Sequence, residues 1–270
     1  MLTRVLHVSD LHVGARASQA EWALAPVVER YAPELVIASG DLAHRGTPAQ
    51  HAAAAELLRA LGPPLLVVPG NHDIPYRFPA RFTRTFSDFE RQWETTEPVF
   101  RTERILAVGL NSVRAWRQQS GGIRDEQLRR AADLLRGAEG NPLRIAVLHH
   151  HLIGAPWRSR KKPVARRNHV LASLVDAGAE LIVAGHIHQS TVAERREFEI
   201  ATGGERGVTV SIAPGLGQPR PRRRGEARGL HVYEFDDTRL AVHTLTWREN
   251  RWELTAERVF ARGREPLTAS

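Results

Sequence analysis

Apolar residues run in short blocks through the first two-thirds of the chain, and each block breaks on polar residues. "RVLHVSD" (4–10), "ELVIASGD" (34–41) and "PLLVVPGNHD" (64–73) have the length of buried strands. Between them, "SQAEWALAPVVERYA" (18–32) and "TPAQHAAAAELLRALG" (47–62) predict helices. The second has Thr47 as N-cap, Pro48 at the first helical position and Gly62 at its close. This β-α-β-α-β series predicts parallel strands with right-handed crossovers. Strands over 104–112, 143–151 and 179–188 and helices over 124–137 and 166–178 continue it. After residue 188 the rhythm changes. "STVAERRE", "GVTVSIAPG", "GLHVYEFDD" and "RLAVHTLTWRE" predict short antiparallel strands, with Asp236-Asp237-Thr238 as a hairpin turn. No internal repeat is visible; "PGLGQPRPRRRGEARG" (214–229) reads as a mobile loop.

Composition narrows the class. The 270 residues suffice for one large α/β domain or two small ones, each with a sizeable core. No run of about 18 apolar residues predicts a membrane-spanning helix. The start reads directly into a strand, without the parts of a signal peptide. Zero cysteines exclude disulfides and thiolate ligands, and lead to the expectation of a cytoplasmic protein. The formal charge of +8 invites a nucleic-acid partner. Because Lys161 and Lys162 are the only lysines, that charge is nearly all arginine, which weakens the inference toward compositional bias.

The strand ends hold the chemistry. The first delivers Asp10 and His12, the second Asp41, the third Asn71, His72 and Asp73. Later strands end in His149, His150 and His151, then in His186 and His188. Turn formation explains Gly, Asn and Asp at such places but not repeated histidine, and open parallel sheets bind ligands at these ends. Imidazole, carboxylate and carboxamide together form a ligand set for Mn, Fe, Zn or Co. So many donors suit two ions sharing a carboxylate, an arrangement fitted to displacement at phosphorus.

The ordered blocks D-x-H, G-D, G-N-H-D, a His-rich strand end and G-H-x-H resemble the calcineurin-like metallophosphoesterases, from Asp10 to His188. Within them the chain is most similar to the bacterial branch with the class III cyclic-nucleotide phosphodiesterases. The resemblance implies a four-layer α/β/β/α sandwich of two mixed β-sheets flanked by helices, with the late antiparallel strands completing the second sheet. Residues 1–250 would form a single domain and 251–270 a partly frayed C-terminal extension. Two divalent metal ions, Mn, Fe or Zn, are implied. Asp10, His12 and His188 would hold one; Asn71, His186 and a histidine of the "HHH" run the other; Asp41 would bridge. The family pattern H-H-P or H-x-P points to His149, but His151 stands where proline is expected, which leaves His150 open.

By the same resemblance His72 would contact the substrate phosphate and protonate the leaving oxygen. His44 sits where many relatives carry an acidic residue. Asp73, His150 and His151 are read as pocket-lining, supporting or packing side chains. The implied reaction is attack of a metal-bound hydroxide on a phosphodiester, with a cyclic nucleotide or other small phosphorylated substrate as partner. The alternatives are a DNA nuclease of the same superfamily and a catalytically weak, basic nucleic-acid-binding protein. The arginine-rich segments 156–167 and 220–228 read either as an electropositive rim or as solvated loops, and Trp157 is the tryptophan nearest a motif. His7, His169, His231 and His243 read as structural or solvated.

Overall fold

The computed structural model describes residues 2–15, 23–117, 119–156, 159, 161–198, 207–217 and 228–262. The chain runs β1 (Thr3–Val8), α1 (Leu24–Tyr31), β2 (Leu35–Ala38), α2 (Pro48–Arg59) and β3 (Leu65–Val67). Next come α3 (Ala80–Thr83), α4 (Ser87–Trp93), β4 (Val99–Arg101), β5 (Ile105–Gly109), α5 (Asp125–Arg136), β6 (Leu143–Val147), α6 (Arg167–Asp176) and β7 (Leu181–Ala184). It ends with β8 (Thr191–Glu194), α7 (Arg195–Phe198), β9 (Thr209–Ile212), β10 (Gly229–Phe235), β11 (Arg239–Arg248) and β12 (Arg251–Ala261). One sheet has the order β12-β11-β10-β1-β2-β3 and the other β4-β5-β6-β7-β9-β8.

The period-2 alternation of each strand divides its apolar residues between two buried faces. Val5, Leu35 and Ile37 of one sheet meet Ile145, Val147, Leu181 and Val183 of the other in a central core. Leu6, Val8, Val36 and Ala38 face outward and are covered by α1 and α2 through Leu24, Val27, Ala54 and Leu58. Ala146, Ile182 and Ala184 face the other way, beneath Leu128, Leu135, Val170 and Leu174 of α5 and α6. The layers are therefore α/β/β/α, and each fully buried aliphatic side chain contributes about 1.5–3 kcal/mol.

The late strands depart from expectation. β9 lies parallel to β7, and only β8 pairs antiparallel to it. β10 to β12 join the first sheet instead of completing the second, with β10 antiparallel to β1. The inward face of that hairpin supplies Tyr233, Phe235, Leu240 and Val242 to the central core, which fixes its side of the sandwich. The expected boundary at 250 falls inside the β11–β12 hairpin, and β12 continues as a paired edge strand with Phe260 buried. Residues 218–227 and 263–270 lie outside the described residues.

Polar groups also cross the central core. Tyr233 donates to Ser211 Oγ at 2.9 Å, so its hydroxyl accepts from His7 Nδ1 at 2.7 Å. His7 Nε2 then accepts from Ser39 Oγ at 2.8 Å. Ser211 donates in turn to His231 Nδ1 at 2.8 Å, and His231 Nε2 donates to Ser190 at 2.9 Å. Five hydrogen bonds in one direction thus satisfy two neutral imidazoles and stitch β1, β2 and β10 to β9. Burial holds both imidazoles well below their ordinary pKa, His231 at about 3. Tyr233→Phe orphans one partner on each side and is expected to cost about 1–3 kcal/mol. A melting temperature lower by several degrees would register it; an unchanged one would show that the chain of bonds adds no stability.

Candidate metal centre

β1, β2 and β3 of one sheet and β6 and β7 of the other end on the same side, so their polar termini meet across the sandwich. The backbone turns sharply there. Asp10, His12, Asp41, His186 and His188 have φ values of 55°, 50°, 52°, 72° and 57°. Non-glycine residues rarely occupy that left-handed region, and such conformations gather at functional sites. Close approach between the segments also needs glycine. A Cβ on Gly70 would collide with the Asp41 amide, and one on Gly185 with Ser9 Oγ.

Two fully buried donor groups result, Asp10, His12 and His188 in one and Asp41, His149 and His186 in the other, and a third, partly buried set joins His12 to His44 and His72. In the first, Asp10 Oδ1 is 2.9 Å from His188 Nε2, and the Nε2 atoms of His12 and His188 are 3.3 Å apart. In the second, His149 Nε2 is 3.4 Å from Asp41 Oδ1, 3.3 Å from Asn71 Oδ1 and 3.2 Å from His186 Nδ1. His149 Nδ1 donates to the Ser39 carbonyl at 2.8 Å and His186 Nε2 to the Gln119 carbonyl at 3.2 Å. Carbonyls can only accept, so when both imidazoles are neutral, the state a metal requires, the facing nitrogens His149 Nε2 and His186 Nδ1 present lone pairs.

Two lone pairs at that distance need a cation or a shared proton between them. Asp41 Oδ2, buried and without a hydrogen-bond donor, adds a further unclaimed acceptor. The residues present therefore fit divalent metal ions. Burial alone would raise the Asp10 and Asp41 carboxyls, but His188 beside the one and His149 beside the other hold both well below the usual range. Burial likewise would depress His149, yet Asp41 lifts it to about 9. Burial does prevail at His12, pushed down to about 3, and at His186.

A family model described as calcineurin-like phosphoesterase matches residues 3–190. The chain belongs to that family. The glycerophosphodiester phosphodiesterase GpdQ of Enterobacter lignolyticus is 30% identical over 181 residues, 64% of this chain and 62% of that protein. The 3',5'-cyclic adenosine monophosphate phosphodiesterase CpdA of Haemophilus influenzae is 26% identical over 176 residues, 62% and 59% of the two. The matched stretches span about three-fifths of these relatives' own lengths. Among solved structures, a dimetal phosphatase from Danio rerio superposes with a TM-score of 0.66 at 12% identity, over 96% of this chain and 98% of that one. The purple acid phosphatase PPD1 of yellow lupin gives 0.68 at 13%, over 100% and 55%. At those identities the structural likeness concerns the fold. The calcineurin-like phosphoesterases are metal-dependent hydrolases, and the two curated relatives are named as phosphodiesterases.

The remaining motif residues take distinct places around the centre. His150 lies outside both donor groups, with Nδ1 2.9 Å from Ser112 Oγ and its ring 4.5 Å from that of His186. The His151 ring stacks on His186 at 5.9 Å. Asp73 accepts from the amides of Ala43 at 2.7 Å and Gly70 at 2.8 Å, clamping the Asp41 turn to the Asn71 turn. Burial raises its carboxyl. His72 is half-buried; its amide donates to Asp41 Oδ1 at 2.8 Å and its Nδ1 to the His44 carbonyl at 2.8 Å. The His44 ring stacks on His72 at 5.9 Å.

Sequence reasoning missed the groups that orient these side chains. Ser39 and Gln119 act through backbone carbonyls, which no residue type signals. Lys161 Nζ donates to the His186 carbonyl, so part of segment 156–167 does reach the centre. Trp157, Arg158 and Arg160, like nearly all of segment 220–228, lie outside the described residues. Among the described residues, no helix is long and apolar enough to cross a membrane.

Proposed function

We propose that this chain is a phosphodiesterase that holds two divalent ions. Asp10, His12 and His188 bind one, Asn71, His149 and His186 the other, and Asp41 is shared. One observation carries this reading: Asp41 faces both donor groups, Oδ2 at 3.9 Å from His12 Nε2 and Oδ1 at 3.4 Å from His149 Nε2. Ions bound there supply the Lewis acidity that ionises water at neutral pH and offsets charge on phosphoryl oxygens. The imidazole, carboxylate and carboxamide donors suit Mn, Fe or Zn.

His72 completes the proposal. With its Nδ1 proton committed to His44, its Nε2 is left to face a phosphate oxygen and, when protonated, to donate to the leaving oxygen. The names of the two curated relatives, one a glycerophosphodiesterase and one a cyclic-nucleotide phosphodiesterase, favour a small diester.

Chelator-stripped protein supplied with single metals should cleave bis-p-nitrophenyl phosphate faster than p-nitrophenyl phosphate. Silence on both esters with every metal would sink the reading. His72→Gln should lower kcat by about 10²–10⁴-fold while bound-metal stoichiometry stays at the wild-type value. A variant that lost metal together with activity would instead make His72 part of the metal site.

A further inference from the structure

Two loops beside the centre interleave arginine with aromatic residues. "IPYRFPARFTRT" (74–85) and "SVRAWR" (112–117) together hold Arg77, Arg81, Arg84, Arg114 and Arg117 with Tyr76, Phe78, Phe82 and Trp116, and no acidic residue. Tyr76 is 58% exposed and Trp116 67%, and all the exposed Phe, Tyr and Trp side chains among the described residues lie on these loops. One buried side chain joins the loops. Arg81 donates through Nε to the Ala115 carbonyl at 2.7 Å and through Nη1 to the Pro75 carbonyl at 3.4 Å. The residues next to those carbonyls are Trp116 and Tyr76, so a single guanidinium sets both backbones side by side.

The loops are also fixed to the centre. The His12, His72 and Tyr76 rings follow one another outward, at 4.8 Å and then 6.5 Å between centroids. The loop bearing Trp116 is held at one end by Ser112 on His150 and farther along by the Gln119 carbonyl on His186. A phosphate against His72 would therefore have an aromatic face about one ring away.

We propose that Tyr76 and Trp116 form a stacking subsite for the base of a nucleoside phosphodiester whose phosphate lies at His72. This rests on the phosphodiesterase reading only for the position of the phosphate. Aromatic faces bind any base by stacking, and the exposed guanidiniums of Arg77, Arg84 and Arg117 complement an anionic ligand and can themselves stack. A glycerol diester offers no ring to stack. A quaternary ammonium headgroup would meet the exposed guanidiniums of Arg77, Arg84 and Arg117, and a second copy of this face would oppose the same charges.

The test is calorimetry on the metal-reconstituted full chain with adenosine 5'-monophosphate and ribose 5-phosphate, which differ only by the base. The wild type should bind the nucleotide at least about tenfold more tightly. Tyr76→Ala combined with Trp116→Ala should bring the two within about twofold, and Tyr76→Phe should keep the preference. Equal binding by the wild type, or a preference that survives the double substitution, would overturn the subsite. So would an eight-residue oligothymidylate that bound more than about tenfold tighter than the mononucleotide with steep salt dependence, which would assign the rim to a nucleic-acid strand. Silence on bis-p-nitrophenyl phosphate beside an intact nucleotide preference would remove the phosphodiesterase reading alone. Cleavage without the preference would remove the subsite alone.

Discussion

Asp41→Asn is expected to leave a folded protein that retains at most one tightly bound metal ion and has lost on the order of a thousandfold or more in activity. Losing a partner that merely orients a metal ligand typically costs 10–100-fold, and Asp41 is the carboxylate that faces both donor groups. The substitution isolates charge from shape. Its φ of 52° lies where asparagine is among the few tolerated residues. The carboxamide oxygen can still accept the His72 amide. What disappears is the negative charge that lifts His149 to about 9 against the depressing effect of burial. In the variant His149 should titrate well below its wild-type value, and the two groups lose their common anion. Metal content by elemental analysis, with turnover of bis-p-nitrophenyl phosphate, reads both effects. Two retained ions with activity within tenfold of wild type would show that Asp41 bridges nothing.

The sequence makes the strand ends legible because β1, β2, β3, β6 and β7 are buried on both faces. Their apolar runs are nearly unbroken, and the polar residue that stops each run stands out. It says less about which strands become neighbours. β10 alternates as a strand should, but alternation assigns faces and leaves partners open. Only the His7↔His231 and Val5↔Tyr233 register places β10 against β1. β12 was hidden for another reason: it is an edge strand, mostly exposed and rich in charge, the composition by which edges avoid further pairing. At the centre, side-chain types reveal which residues gather but not how each is turned. The tautomers of His149 and His186 depend on two backbone carbonyls, and those of His7 and His231 on a run of hydroxyls each unremarked alone. The alternation of arginine and aromatic residues at 76–84 is plain in the sequence; its meaning depends on Arg81 joining that loop to Ala115.

Stripping the metal and then acidifying should unfold the protein within about one pH unit below 6.5. Six imidazoles are the cause. Burial holds His12 and His231 at about 3 and His151 at about 4, and keeps His7, His150 and His186 well below their ordinary value. A histidine depressed in the folded state is protonated first in the unfolded one. Each therefore contributes stability above the unfolded value of about 6.5 that is lost as pH falls, at about 1.4 kcal/mol per pH unit. Acting together they give a slope of about 4 kcal/mol per unit at pH 6.5 that rises toward about 8 as the unfolded imidazoles fill, comparable with the whole stability of about 5–15 kcal/mol. His149 has the opposite sign. Its raised value of about 9 gives stability that is full below 6.5 and lost as pH rises toward 9, so it cannot offset the acid limb. Circular dichroism during acid titration, with proton uptake counted by potentiometry, should show a cooperative loss of structure taking up about three to five protons, because unfolded imidazoles are only partly protonated within one unit of 6.5. A midpoint below pH 4 in the chelated protein would contradict it. Bound metal should move the midpoint down, because protons must then displace the ions as well. The same burial that makes the metal-free chain acid-labile keeps the lone pairs of His12 and His186 unprotonated at neutral pH, which is the state a metal ion requires.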